Sequence, residues 1–128
     1  MQKMTVRDIN IKGKSVIIRV DFNVPLDSAF HITDDRRIIA ALPTIQYALS
    51  NGASKVILMS HLGRPKGTGF EKSFSLEPVA KHLQELLKEK VLFLNDCVGP
   101  EVKEAIAKST PRVVLLENLR FQTLNFRL

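Results

Sequence analysis

The sequence has 128 residues, of which 45% are hydrophobic and 25% charged, a composition typical of one folded domain and not of a disordered segment. No apolar run approaches the roughly 18 residues of a membrane span, and charges such as Lys3, Arg7 and Asp8 interrupt the amino terminus, so neither a membrane helix nor a signal peptide is expected. The single Cys97 and the 3 histidines exclude an internal disulfide and a structural zinc cluster. We therefore expect a cytoplasmic protein with no membrane partner.

The net charge is +6 at neutral pH, from 19 basic and 13 acidic side chains. An excess of this size fits nucleic-acid binding, a small polyanionic substrate, or a solvated surface that binds nothing. The sequence contains no run of five like charges and no basic-aromatic repeat. A dedicated nucleic-acid arm is therefore disfavoured, and no nucleic-acid partner is expected.

The first half of the chain predicts two strands and a helix. Alternation over residues 5–11 allows a small extra strand, and the aliphatic run at 15–20 predicts the first buried strand. Residues 34–49 carry apolar side chains along one helical stripe, with Thr33 in place to cap the helix. Pro43 lies inside this segment and predicts a kink.

The next segments continue the alternation. The run at 55–60 predicts a second strand, and residues 76–88 predict a helix with Ser75 as its cap and Pro78 in its first turn. A third strand is expected at 91–94.

A short helix at 100–108 and a fourth strand at 113–116 complete the pattern. The helix should bury Val102, Ala105 and Ile106. Strands that alternate with helices and are almost continuously apolar indicate right-handed crossovers, so the fold class is α/β, a Rossmann-like three-layer parallel sheet. Because no crossover helix follows the fourth strand, we expect one of its faces to be apolar and uncovered.

Polar and basic residues follow three of these strands, at the edge where parallel sheets bind ligands. Carboxylate and amide groups suit a hydroxyl, whereas imidazole and guanidinium groups suit a phosphate, so the set fits a small phosphorylated hydroxy acid. A glycine-rich loop at 63–69 follows the second strand, and the start of the first helix adds two arginines. The candidates are Asp21, Asn23, Arg36, Arg37, His61, Gly63, Arg64, Glu117 and Arg120.

Several of these residues have simpler interpretations. Asp21 could pair with Arg19 on the same strand, His61 could be a structural histidine, and Gly63 could serve a plain turn. Glu117 could act as a general base or, as we favour, as a carboxylate that orients Arg120.

The remaining chemical groups are weaker candidates. We expect neither His31 nor His82 to have a partner at catalytic spacing. Cys97 lies before a helix start, which could lower its pKa, but a lone cysteine is usually an inert core residue. No GxGxxG or GxxxxGK[ST] motif is present, so no phosphate cradle for a nucleotide is expected in this chain.

Five motifs together resemble the amino-terminal domain of phosphoglycerate kinase. They occur in the order of that family and extend the resemblance over about residues 5–121. The motifs are RVDFNVP (19–25), SHLGRP (60–65), SLEPVA (75–80), DCVGPEV (96–102) and LLENLRF (115–121).

The resemblance implies a glycolytic enzyme, usually monomeric, that transfers a phosphoryl group reversibly between 1,3-bisphosphoglycerate and magnesium-bound ADP, giving 3-phosphoglycerate and ATP. It implies that Arg37, ahead of the Ile-x-Ala-Ala-x-Pro stretch, stabilises the transition state, because phosphoryl transfer depends on positioning and on neutralising spreading negative charge. Arg36 is the less favoured neighbour. The substrate-binding residues implied are Asp21, Phe22, Asn23, Arg37, His61, Arg64 and Arg120, with the backbone of Leu62 and Gly63.

The resemblance also implies a division of the chain. Residues 1–121 correspond to part of a glycerate-binding domain, 122–128 form an atypical tail without acidic residues, and the nucleotide-binding domain is absent. We therefore expect no metal or nucleotide site in this chain and no turnover by it alone. The alternative function is a non-catalytic binding module for a small phosphorylated acid.

Overall fold

A computed structural model describes residues 9–63, 72–94 and 100–118. It shows four strands and three α-helices in alternation, which confirms the α/β class and the parallel sheet. A short 3-10 turn at Lys72–Phe74 precedes the second helix. In chain order the elements are β1 (Ser15–Arg19), α1 (Arg36–Ser50), β2 (Lys55–Met59), α2 (Glu77–Leu87), β3 (Val91–Leu94), α3 (Pro100–Lys108) and β4 (Val113–Leu116).

The strands lie in the order β1-β2-β4-β3, and all neighbouring pairs are parallel. The sheet has helices on both faces. On one face α1 and α2 supply Ile38, Ile45 and Leu83 to a core that also contains Leu58 and Leu115. On the other face α3 packs Val102 and Ile106 against a smaller cluster of Ile57, Val114 and Leu116. The result is a three-layer arrangement.

The expectation of an uncovered face at β4 is wrong. All four residues of β4 are buried, because this strand is inserted between β2 and β3 and has a layer of helix on each side. The exposed apolar side chain of the sheet lies instead on β1, where Ile17 is 65% exposed. Ile17 pairs in register with Ile57, so it extends the α3 face of the sheet to an edge that α3 does not cover.

The helix starts differ from the predicted ones. Helix α1 begins at Arg36, and Thr33 does not cap it, because the Thr33 hydroxyl donates to the Pro25 carbonyl at 3.3 Å. Pro43 lies inside α1, as expected. Helix α2 begins at Glu77, whose N–H donates to Ser75 Oγ at 3.2 Å, so Ser75 does support this helix start.

Helix α3 has the predicted bounds, but its apolar residues are only half-buried. The prediction that Val102, Ala105 and Ile106 would be buried is therefore wrong in degree. The cluster beneath this helix contains three buried residues, against sixteen in the α1–α2 core, so α3 has a smaller surface to pack on.

Two basic side chains bind backbone carbonyls at the edge of the sheet where the strands begin. Arg112 donates to the carbonyls of Leu49 and Ala53 at 2.9 and 2.7 Å, beside the carboxyl end of α1. Lys55 donates to the Ser109 and Pro111 carbonyls just after α3. The helix dipole favours cations at the carboxyl ends of helices. Arg112 and Lys55 therefore stabilise the fold.

Within these described residues no helix is long and apolar enough to cross a membrane. The possible extra strand falls mainly on residues 5–8, which lie outside the described residues.

Candidate functional site

The edge of the sheet where the strands end brings together three of the predicted segments. Arg19 is in register with Met59, and Leu58 with Leu115, so the residues after β1, β2 and β4 emerge side by side. The Val20 N–H still donates to the Met59 carbonyl at 2.9 Å, which holds the first two segments together beyond the sheet.

The segment after β1 forms a tight turn. Oδ1 of Asp21 accepts the Asn23 N–H at 3.2 Å, and the Phe22 N–H donates to Ser60 Oγ at 2.9 Å, which ties the turn to the end of β2. The Phe22 side chain is fully buried in the core. Phe22 therefore anchors the turn, and its side chain is not available to a ligand, whereas Asp21 remains exposed.

Arg37, in the first turn of α1, reaches this turn. Its Nη1 donates to the Asn23 carbonyl at 2.8 Å and lies 3.4 Å from Oδ1 of Asp21. The partner that the structure shows for Asp21 is therefore Arg37, whereas the sequence suggested Arg19. The Arg37 and Asp21 side chains are 54% and 61% exposed, so this pair is open to solvent and long. Such a contact is weak and exchangeable.

The segment after β2 joins the same turn through its backbone. The Gly63 N–H donates to Oδ1 of Asn23 at 2.8 Å. Gly63 has a φ of +60°, and a Cβ here would lie 2.5 Å from the Phe74 ring, so this position requires glycine. The side chain of Leu62 is buried, and its carbonyl accepts Nδ2 of Asn118 at 2.7 Å. Leu62 and Gly63 therefore offer only backbone groups to this edge.

Arg36 has a different partner from Arg37. Its Nε and Nη2 both donate to the carboxylate of Asp34, the shortest contact being 2.6 Å. These hydrogen bonds lower the pKa of Asp34 to about 2. Arg36 and Arg37 both border an open pocket of about 410 Å³, together with Asn23 and Pro25. Arg36, closely paired with Asp34, therefore lies beside Arg37, whose contact with a carboxylate is long.

The other predicted residues are only partly placed. His61 follows β2 at this edge and is half-buried. Arg64, Cys97 and Arg120 lie outside the described residues. The two further arginine ligands therefore remain predictions.

Glu117 has a structural role at the end of β4. Its side chain is 3% exposed and accepts three hydrogen bonds, from Ser75 Oγ at 2.7 Å, the Leu76 N–H at 2.8 Å and the Asn118 N–H at 2.9 Å. These contacts join the end of β4 to the start of α2. A carboxylate held in this way by backbone and hydroxyl donors away from solvent is not placed to act as a general base, and its favoured role, orienting Arg120, stays a prediction because Arg120 lies outside the described residues.

The expectation that neither His31 nor His82 has a partner at catalytic spacing is wrong, because each lies beside an aspartate. His31 Nδ1 lies 3.3 Å from Asp27, and the pKa of Asp27 is lowered, chiefly because its carboxylate accepts the His31 backbone N–H. His82 Nε2 lies 2.8 Å from Oδ2 of Asp35, across the α1–α2 contact. His82 follows the buried Val79 by three positions, so its place on the flank of a packed helix face was the available signal.

A protein-family model for phosphoglycerate kinase matches residues 6–125. The chain belongs to the phosphoglycerate kinase family. It is 58% identical over 120 residues to a phosphoglycerate kinase of Agaricus bisporus and 57% identical to phosphoglycerate kinase 2 of Rhizopus niveus. Each alignment covers 93% of this chain and 28% of the relative, so the chain spans little more than a quarter of the length of these relatives.

Solved structures of the same family have the same fold. Phosphoglycerate kinase from Pyrococcus horikoshii superposes with a TM-score of 0.82 at 33% identity, over 98% of this chain and 30% of the other. The enzyme from Coxiella burnetii gives 0.77 at 40% identity, over 94% and 29%. The resemblance found in the five motifs is therefore confirmed along nearly the whole chain.

Proposed function

We propose that this chain forms the acid-binding part of a phosphoglycerate kinase and binds 3-phosphoglycerate or 1,3-bisphosphoglycerate at the edge of the sheet where the strands end. The whole reaction is the glycolytic transfer of a phosphoryl group between 1,3-bisphosphoglycerate and ADP, in the cytoplasm. Residues 1–121 are assigned to the acid-binding domain, and 122–128 to a tail that takes no part in the site. The observation that carries the proposal is the long, solvent-exposed contact between Arg37 and Asp21 at this edge.

Arg37 is suited to exchange its present partner for an anion. An exposed ion pair contributes about 0–1 kcal/mol, whereas charge-assisted hydrogen bonds contribute about 1.5–3 kcal/mol each. A carboxylate or phosphate of the substrate can accept two N–H groups of one guanidinium in parallel. Exchange of the 3.4 Å contact with Asp21 for such a ligand is therefore favourable.

The same exchange prepares Asp21 for the substrate. Once Arg37 turns to the ligand, the exposed Asp21 carboxylate is able to accept a hydrogen bond from the substrate hydroxyl. Asn23 keeps its Oδ1 on the Gly63 N–H, so its amide N–H groups are the ones we assign to the ligand. His61, Arg64 and Arg120 are proposed as further ligands of the substrate, and Arg37 as the group that neutralises charge in transfer.

Nucleotide and magnesium contacts are not assigned to this chain. Within residues 9–63, 72–94 and 100–118 no three carboxylate, imidazole or thiol side chains lie together as a metal-binding group. ATP or ADP with Mg²⁺ would supply the other reacting partner in the family reaction. We propose that the 128-residue chain binds its acid substrate without catalysing transfer, because catalysis requires both partners held in line.

Calorimetric titration with 3-phosphoglycerate tests the binding site. We expect a Kd of about 1 mM and a loss of at least about tenfold in Arg37→Ala, as expected for losing charge-assisted hydrogen bonds. Arg36→Ala is the matched control, because it removes the same charge from the adjacent position, and its Kd should stay within about twofold. Equal losses in the two variants would show that general charge, and not the Arg37 site, attracts the ligand.

A coupled ATP-formation assay tests turnover. No activity is expected in the wild-type chain or in Arg37→Ala. Activity that is present in the wild type and lost in the variant would place a nucleotide site in this chain. Equal activity in the two proteins indicates a contaminating enzyme. Both are then purified further until neither is active or only the wild type is.

A further inference from the structure

The first turn of α1 is tied to α2 by a hydrogen bond outside the proposed substrate site. His82 Nε2 lies 2.8 Å from Oδ2 of Asp35, and because an ionised carboxylate only accepts, the imidazole N–H donates. The two side chains are 30% and 34% exposed. They are better shielded from water than the Arg37–Asp21 pair, so this bond is the firmer of the two.

Asp35 occupies the N-cap position of α1 but does not cap the helix through its side chain. Aspartate at this position usually accepts an N–H of its own first turn. The first turn also contains no acidic residue to offset the helix dipole. The local side-chain support that remains is Asp34, whose Oδ1 accepts the Arg36 N–H at 3.0 Å. The Asp35 carboxylate therefore binds His82 of α2 and not the N–H groups of its own helix.

That contact bears on the position of Arg37. The Asp35 carbonyl accepts the Ile39 N–H at 3.0 Å, so the Asp35 backbone is part of the first turn, and Arg37 is two residues further along it. Terminal helix turns fray when they lack partners. A bond from Asp35 to α2 holds the turn against a helix whose Leu83 is fully buried in the core.

We propose that His82 is a positioning residue: by holding Asp35 it fixes the first turn of α1 and thereby the Arg37 guanidinium at the proposed substrate site. The inference rests on the proposed function for its ligand. His82 itself touches no substrate. Without the bond, the first turn moves more freely, and Arg37 must be ordered when the ligand binds, which weakens binding.

The experiment compares His82→Ala, His82→Gln and Lys81→Ala in the full chain. Glutamine keeps a side-chain N–H for Asp35, and Lys81 is the adjacent, exposed α2 residue, whose nearest acid is Glu77 at 3.9 Å on its own helix. Each variant is titrated with 3-phosphoglycerate, and the Arg37 Nε–Hε resonance is recorded in the free chain by NMR. Circular dichroism checks that each variant is folded.

We expect His82→Ala to weaken 3-phosphoglycerate binding about fivefold and to shift the Arg37 side-chain resonance. His82→Gln should recover most of both effects, and Lys81→Ala should change neither. Unchanged binding and an unchanged resonance in His82→Ala would overturn the proposal, as would a glutamine variant as impaired as the alanine variant. If the wild-type chain binds no 3-phosphoglycerate, the proposed function fails, and the Arg37 resonance alone decides the positioning role.

Discussion

Replacing Glu117 by glutamine tests whether a buried carboxylate holds β4 to α2. The carboxylate accepts three hydrogen bonds at 2.7–2.9 Å, from Ser75, Leu76 and Asn118. Hydrogen bonds to a charged group contribute about 1.5–3 kcal/mol and neutral ones about 0.5–1.5 kcal/mol, a difference of about 1 kcal/mol for each bond. Glutamine keeps the shape but loses the charge and one acceptor, because its amide nitrogen can only donate, so the Ser75 hydroxyl must turn to accept from it. We expect Glu117→Gln to lower the free energy of unfolding by about 2–3 kcal/mol.

Alanine at the same position removes the acceptor altogether. Each buried donor left without a partner costs about 1–3 kcal/mol, and water entering the vacated space recovers part of that, so we expect a loss of about 4 kcal/mol for Glu117→Ala. This is a large share of the roughly 5–15 kcal/mol that stabilises a typical domain. The alanine variant should therefore unfold at a much lower urea concentration than the wild type.

Urea unfolding followed by circular dichroism measures both losses. Glu85→Gln is the matched control, because Glu85 is an exposed carboxylate on α2, and its midpoint should change by less than the equivalent of about 0.5 kcal/mol. Losses below about 1 kcal/mol in both Glu117 variants would refute the reasoning, since no buried, occupied carboxylate could then be present.

Three further predictions follow from other contacts. Gly63→Ala should weaken 3-phosphoglycerate binding in calorimetry, because its Cβ would collide with Phe74 at 2.5 Å and its φ of +60° would be strained; wild-type affinity would contradict this. The pKa of the Asp34 carboxyl should be about 2 when it is measured by carbon-detected NMR, and it should rise toward 3.8 in Arg36→Met. Because the pKa is lowered in the fold, the interaction is complete above pH 4 and is lost as the pH falls toward 2. An unchanged pKa in Arg36→Met would show that Arg36 is not the cause. Ile17→Thr should change the free energy of unfolding by less than about 0.5 kcal/mol in urea titration, because Ile17 is 65% exposed at a sheet edge, whereas a large loss of stability would show that it is covered.

The strands could be predicted closely because strands buried on both faces are continuous aliphatic runs. Strand β4 matches its predicted bounds, and β1 and β2 end one residue early. The position of β4 within the sheet could not be predicted, because strand order depends on pairing between distant segments. That missing information is why the uncovered face was placed on β4 and not on the β1 edge.

The candidate site was likewise predictable only in part. The sequence placed Asp21, Asn23 and Arg37 at one edge of the sheet, because these residues follow a predicted strand or begin a predicted helix. It did not predict the contacts among them. The contact of His82 with Asp35 was missed because the two lie 47 residues apart, and a place on a helix flank does not identify a partner on another element. The contacts of Glu117 with Ser75 and Leu76, 42 and 41 residues away, were missed for the same reason.

The strand order β1-β2-β4-β3 also has a consequence for synthesis from the amino terminus. Strand β3 has no neighbour until β4 is made, because β2 and β3 are joined only through β4. A nascent chain that has not yet reached Val113 therefore exposes an unpaired edge of β2 and the whole of β3, both aliphatic and prone to join other chains. Strands β1 and β2 can pair as soon as both are made, but the four strands described here cannot close into one sheet before Leu116 has been added.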